Sequence, residues 1–176
     1  MGLYDDILNT FIHIRKDEDL LRLLTLKPEN FAEGIPDPLS PTLPNIIDKP
    51  PEELSDIQNK HIMKSVKVDD LEPIKLCRLF IYPGRRTPER NNYATADQEI
   101  HIDILCHVDY ENGDFRSSRI TDRLNDLLVN AKVKGVFGKL EYVGGNIISG
   151  VPRNYVGYKC VYEFGSFRKW VMIWKY

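Results

Sequence analysis

Seven prolines fall between residues 28 and 51, at Pro28, Pro36, Pro38, Pro41, Pro44, Pro50 and Pro51. Each removes a backbone donor and fixes φ, so neither a helix nor a central strand persists through this stretch. The prolines therefore divide the chain into an N-terminal piece and a larger body after residue 51. A run this long without regular structure is uncommon inside a compact domain and is usually functional or a linker. Phe31, Ile35, Leu39, Leu43, Ile46 and Ile47 lie among the prolines and argue against a solvated linker. An extended arm over residues 27–51, laying apolar side chains on a neighbouring surface, satisfies both facts.

Before the prolines the pattern is helical. Leu3, Ile7, Leu8, Phe11 and Ile14 recur at helical spacing, with Asp5 and Asp6 near the positive end of the dipole. Asp17, Glu18 and Asp19 open a second N-terminal turn ahead of Leu20, Leu21, Leu23 and Leu24. One bent helix or two short ones are expected over residues 1–26. After the prolines, Pro51 followed by Glu52 and Glu53 makes a good helix start, and a short helix is expected over residues 52–64.

From residue 74 the period changes to that of strands. A first strand reads over residues 74–82 and stops at Pro83 and Gly84. The second, over residues 100–108, alternates most clearly. Ile100, Ile102, Ile104, Cys106 and Val108 face one way; His101, Asp103, Leu105 and His107 face the other. Residues 111–114 read as a turn with Asp114 as N-cap of a helix over 115–131. That helix carries Ile120, Leu124, Leu127, Leu128 and Ala131 on one stripe and ends near Lys134 and Gly135. Strands follow over 137–143 and 155–164, joined by the glycine-rich loop 144–150, with a further strand over 168–174. The order predicts one α+β domain over residues 1–176. Its sheet is mostly antiparallel with four to five strands, its helices pack on one face, and the proline-rich arm extends from it.

Composition bounds the function. With 42% hydrophobic and 28% charged residues the chain supports a core and a soluble surface, and its net charge of -2 gives no global pull toward nucleic acid or anionic lipid. No apolar run approaches the ~20 residues of a membrane span, so no membrane partner is expected. The acidic opening does not resemble a secretory signal, and Asp6 stands where a myristoylation motif needs Ser or Thr. Cys77, Cys106 and Cys160 sit singly in strand-like segments and read as buried free thiols.

Catalytic constellations are sparse. His101 and Asp103 share a strand face about 7 Å apart and are candidate ligands of one cation, but His107 is too far along to join them, so no metal or cofactor is expected. Cys106 and His107 point to opposite faces and cannot act as nucleophile and base. The glycines at 144 and 145 precede strand-like Ile147 and Ile148, which is not a phosphate cradle. Residues 83–97 read as a long polar loop carrying Arg85, Arg86 and Arg90, with Tyr93 as its sole aromatic. Such a loop is either a mobile surface loop or an arm that orders on a neighbour or, as an alternative, contacts a phosphate backbone as part of a nucleic-acid-binding module. A small hydrolase using His101, Asp103 or His107 is a third reading.

In element order and hydrophobic pattern the chain resembles the tail-terminator, tail-completion and head–tail joining proteins of long-tailed bacteriophages. The leading helix from Leu3, the strand at residues 100–105, the helix through residues 119–128 and the closing strand at residues 155–162 carry the likeness. It covers about residues 1–26 and 74–165. The resemblance implies a non-enzymatic virion subunit of the tail or neck, assembled in the host cytoplasm. Its expected partners are copies of itself in a ring, with six as the expected number, the tail tube protein and the head connector proteins. DNA would pass through the lumen without sequence-specific binding. Strand edges, the loop with Arg85, Arg86, Arg90 and Tyr93, and the polar row His101, Asp103 and His107 are then the candidate subunit or lumen contacts.

Overall fold

The computed structural model describes residues 3–65, 70–71, 74–89, 92–134 and 139–167. Helices α1 (Leu3–Arg15) and α2 (Glu18–Thr25) form the N-terminal piece. They are two helices because Asp17 leaves the helical region at φ -86 and ψ 121, and its side chain accepts from the Leu20 N–H at 2.8 Å. Helix α3 (Pro51–His61) starts on a proline, where the missing N–H costs nothing, and carries Glu52 and Glu53 in its first turn. The short strand β1 (Ile62–Met63) follows, then β2 (Cys77–Glu89), β3 (Asn92–His107), α4 (Val108–Asp114), α5 (Arg116–Leu128), β4 (Glu141–Ile147) and β5 (Tyr155–Phe167).

The five strands lie in the order β1-β2-β3-β5-β4. All neighbours are antiparallel except β1 and β2, which makes the sheet mixed. Every α-helix contributes to the core on one face of this sheet. Ile14, Leu20, Leu24, Ile120, Leu124 and Leu128 pack there against Leu79, Ile100, Ile102, Ile104 and Cys160, all fully buried. The expected α+β architecture with helices on one face is thus present. The opposite face has a smaller cluster, Leu71, Leu76, Phe80, Leu105 and Tyr155. All three cysteines are buried and free.

Several expectations need correction. The proline-rich segment does not extend away from the body. Arg22 donates to the carbonyls of Ser40 at 2.9 Å and Leu43 at 3.0 Å and to Asn45 Oδ1 at 2.9 Å. Glu18 accepts from the N–H groups of Ile46 and Ile47 at 2.8 and 2.9 Å, and Arg119 pairs through both terminal nitrogens with Asp37. Ile46 enters the main core. A proline-rich chain cannot satisfy itself by ladder bonds, so side chains of α2 and α5 supply the partners instead.

The loop expected over residues 83–97 is a hairpin. β2 and β3 continue through Pro83, Arg85, Arg86 and Pro88 until Glu89 meets Asn92, with register shifts between Pro83 and Arg86 and at Pro88. Proline is tolerated because β2 is an edge strand for most of its length: β1 covers only Leu79 and Phe80. Residues 111–114 are not a free turn but the end of α4, and Asp114 is not an N-cap. Phe115, left-handed at φ 51 and ψ 49, separates α4 from α5, while Asp114 pairs with the buried Arg116. Val108 opens α4 rather than closing a strand, and Ala131 lies beyond the end of α5. Gly144, Gly145, Asn146 and Ile147 belong to β4 rather than to a loop. A Cβ at Gly145 would stand 2.6 Å from the hydroxyls of Tyr142 and Tyr158, so the glycine leaves room for the two tyrosine side chains. Arg90, Gly135, the start of the strand expected at 137 and the strand expected over 168–174 lie outside the described residues.

Candidate functional site

The polar face of the sheet gathers several of the residues singled out from sequence. Asp103 on β3 stands opposite Phe80 on β2 and Lys159 on β5, and His101 stands opposite Tyr82. The Tyr82 hydroxyl donates to Asp103 Oδ2 at 2.8 Å and accepts from Lys159 Nζ, which lies 3.2 Å from Asp103 Oδ1. Burial alone would lower the Lys159 ammonium, but Tyr82 and Asp103 outweigh it and hold its pKa above the ordinary value. Burial raises the Tyr82 hydroxyl, so it stays protonated and a donor.

His101 is engaged elsewhere. Its Nε2 lies 2.8 Å from Glu99 Oε2, and its ring meets Tyr82 edge-on at 5.5 Å. The hydrogen bond from His101 is the main cause that holds the Glu99 carboxyl below its usual range. His107 serves the fold: its Nδ1 accepts from the Asp109 N–H at 3.2 Å, capping α4, and its ring meets Tyr155 edge-on at 5.3 Å. His101, Asp103 and His107 therefore share a face without converging on one point. Among the described residues no group of three His, Cys, Asp or Glu side chains is placed to hold a metal ion. Cys106 is in the main core and His107 is on the other face, as their adjacency in a strand requires.

Arg85 and Arg86 do not form an isolated basic patch. The Arg85 N–H donates to Glu99 at 3.1 Å, and its charge acts on Glu99 and Glu163. Arg86 lies close enough to Asp6 to lower its carboxyl, although burial dominates and leaves Asp6 raised. Tyr93 is in β3, and its side chain is outside the described set.

Two features went unnoticed in the sequence. The first is a row of glutamates: Glu141, Glu163 and Glu99 stand in register across β4, β5 and β3. Burial, then the charges of Asp97, Glu99 and Glu141, raise the Glu163 carboxyl. Strand alternation could have placed these acids on one face, but not in one row without the register. The second is a surface: β4 leaves one edge unpaired within the described sheet and exposes Val143 at 57% and Ile147 at 77%. The glycines at 144, 145 and 150 give residues 144–150 the pattern of a loop and conceal this edge. No helix of the described residues is long and apolar enough to cross a membrane.

Comparison with known proteins places this sequence in a family. The YomW family profile matches residues 17–164. The chain belongs to the YomW family. A YomW relative, the SPbeta prophage-derived uncharacterized protein YomW of Bacillus subtilis (strain 168), is 32% identical over 165 residues, which span 92% of this chain and 96% of the relative. The YomW match includes α2, the proline-rich segment and nearly all of the sheet. A chain of the virion of a native gene transfer agent particle is similar over 58% of this chain and 75% of its own, with TM-score 0.39 and 13% identity. That likeness is too slight to carry functional weight.

Proposed function

We propose that this protein is a structural virion subunit, a ring-forming tail terminator or head–tail joining protein that caps the tail tube and connects it to the head connector. The observation that carries the reading is near full-length kinship with a prophage-derived protein. The geometry is consistent with it. An unpaired strand edge with exposed apolar side chains is a surface that another polypeptide completes. The polar groups of the sheet face are tied to one another in fixed pairs, as suits a contact surface. The row of Glu99, Glu141 and Glu163 gives that face an acidic stripe, and acids repel phosphate, so a lumen lined by it would let DNA slide without sticking.

The test is assembly. Purified protein is mixed with tail tubes and with connectors, and the products are viewed by negative-stain electron microscopy. Rings alone or on tube ends are expected, and tubes from a phage lacking the gene should fail to join heads. A chain that stays monomeric and ignores both partners overturns the reading.

A further inference from the structure

Helix α1 and strand β2 leave an apolar groove of about 500 Å³ between them. Tyr4, Ile7, Leu8 and Phe11 form one wall, Ile81 and Pro83 form the other, and Lys64 also lines the groove, with its Nζ over the Phe11 ring. Its size falls in the range of sites that engulf a few large apolar groups. Tyr4 is 73% exposed on its rim.

The sequence that continues beyond β5 has matching chemistry. Residues 168–176 read Arg-Lys-Trp-Val-Met-Ile-Trp-Lys-Tyr and contain both tryptophans of the chain. In an extended chain Trp170, Met172 and Trp174 would project from one side, about 7 Å apart.

Geometry decides whose groove this segment can enter. Pro83 in the groove wall is level with Ile100 and, through it, with Tyr162 of β5. β5 runs on to Phe167, opposite Thr95, five residues past that level and two strands across from β2. To return, the chain would cover about 16 Å backwards and about 10 Å sideways. Three residues from Phe167 to Trp170 span at most about 11 Å. The backbone at Trp170 would therefore fall short of Pro83 in its own chain, and residues from Ile173 onward have the length only after an immediate reversal.

We infer that the α1–β2 groove receives the aromatic segment at residues 168–176 of a second copy, making a head-to-tail contact between subunits. This rests on the proposed ring-forming role and names the contact that closes the ring: one subunit's groove against the next one's C-terminal segment, a heterologous pairing of the kind that rings need.

Intrinsic fluorescence reads this directly, since both tryptophans lie in the segment. With rising wild-type concentration the emission should shift to the blue in step with assembly seen by sedimentation velocity. Leu8→Arg, in the groove wall, should stay red-emitting and monomeric, and Tyr4→Ser, at an exposed rim position, should weaken assembly at least tenfold without loss of helical circular dichroism. Mixing Leu8→Arg with the double variant Trp170→Ser/Trp174→Ser leaves one intact groove and one intact segment. A 1:1 complex with blue-shifted emission is expected from that mixture alone. Blue emission from a monomer at every concentration, or assembly of both groove variants at wild-type strength, overturns the inference. Rings that form normally with the groove variants leave the proposed function standing; a wild-type chain that forms no ring even on tail tubes removes that function as well.

Discussion

The Arg22 guanidinium donates to the carbonyl oxygen of Leu43 at 3.0 Å, tying the second helix to the middle of the proline-rich segment. Arg22 is only 5% exposed and also pairs with Glu18, so it is a buried charge with several partners. Arg22→Ala leaves those partners without their donor. A loss of about 3 kcal/mol is expected in urea unfolding, with new proteolytic cleavage between residues 36 and 50.

The same anchors predict acid sensitivity. Burial would raise the Glu18 carboxyl, but the Ile46 N–H, Arg22 and the Ile47 N–H hold it below its ordinary value. Asp37 is lowered chiefly by the hydrogen bond from Arg119. Both carboxyls titrate lower in the folded chain than in the unfolded one. Their stabilisation is therefore complete above the unfolded pKa, about 4, and is lost as pH falls through the folded values. Proteolysis of residues 36–50 should rise below about pH 4, and Glu18→Gln should flatten that rise.

How much of this was legible in the sequence depended on what each residue does locally. The alternation at Ile100, Ile102, Ile104 and Cys106 fixed the core face of β3, because a one-residue slip would expose all four. The prolines correctly excluded regular structure over most of residues 28–50. Their docking was hidden, since Arg22 and Glu18 reach 18 to 29 residues along the chain for their partners. Pro83 and Gly84 looked like a strand terminator, whereas at an edge they cost few ladder bonds. Of the candidate site, the shared face of His101, Asp103 and His107 was readable. Their separate partners Glu99, Lys159 and Asp109 followed only from register and from the start of α4.

Gly84 is held small by His101. A Cβ at this position would lie 2.3 Å from His101 Nε2 and 2.9 Å from Glu99 Cβ. Gly84→Ala should displace the imidazole, break its bond to Glu99 and cost about 1–3 kcal/mol as an overpacked contact. Loss of the Glu99 pairing should be visible as changed His101 ring chemical shifts by NMR at fixed pH, and unaltered shifts with unaltered stability would contradict the contact.

Glu163 sits between two like charges. Its carboxyl titrates higher in the folded chain than in the unfolded one, so its ionisation destabilises the fold as pH rises through that interval. Glu163→Gln should stabilise the chain at pH 7 by about 0.5 kcal/mol, and the gain should vanish in acid. Thermal melts at both pH values measure it.

Ile147 on β4 is 77% exposed, so Ile147→Lys should leave unfolding within about 0.5 kcal/mol of wild type. The charge should nevertheless weaken capture of tail tubes or connectors in a co-sedimentation assay.

The two borders of the sheet are unlike. On β2, Pro83 and Pro88 lack amide hydrogens, and β1 already caps Leu79 and Phe80; on β4, the border is free of proline. A backbone template needs regular donors on each side to propagate, and here only one side offers them. Two molecules meeting through β4 would present proline-blunted borders at both ends, so further copies could not be added by strand pairing. Growth into a fibre by strand pairing is thereby checked.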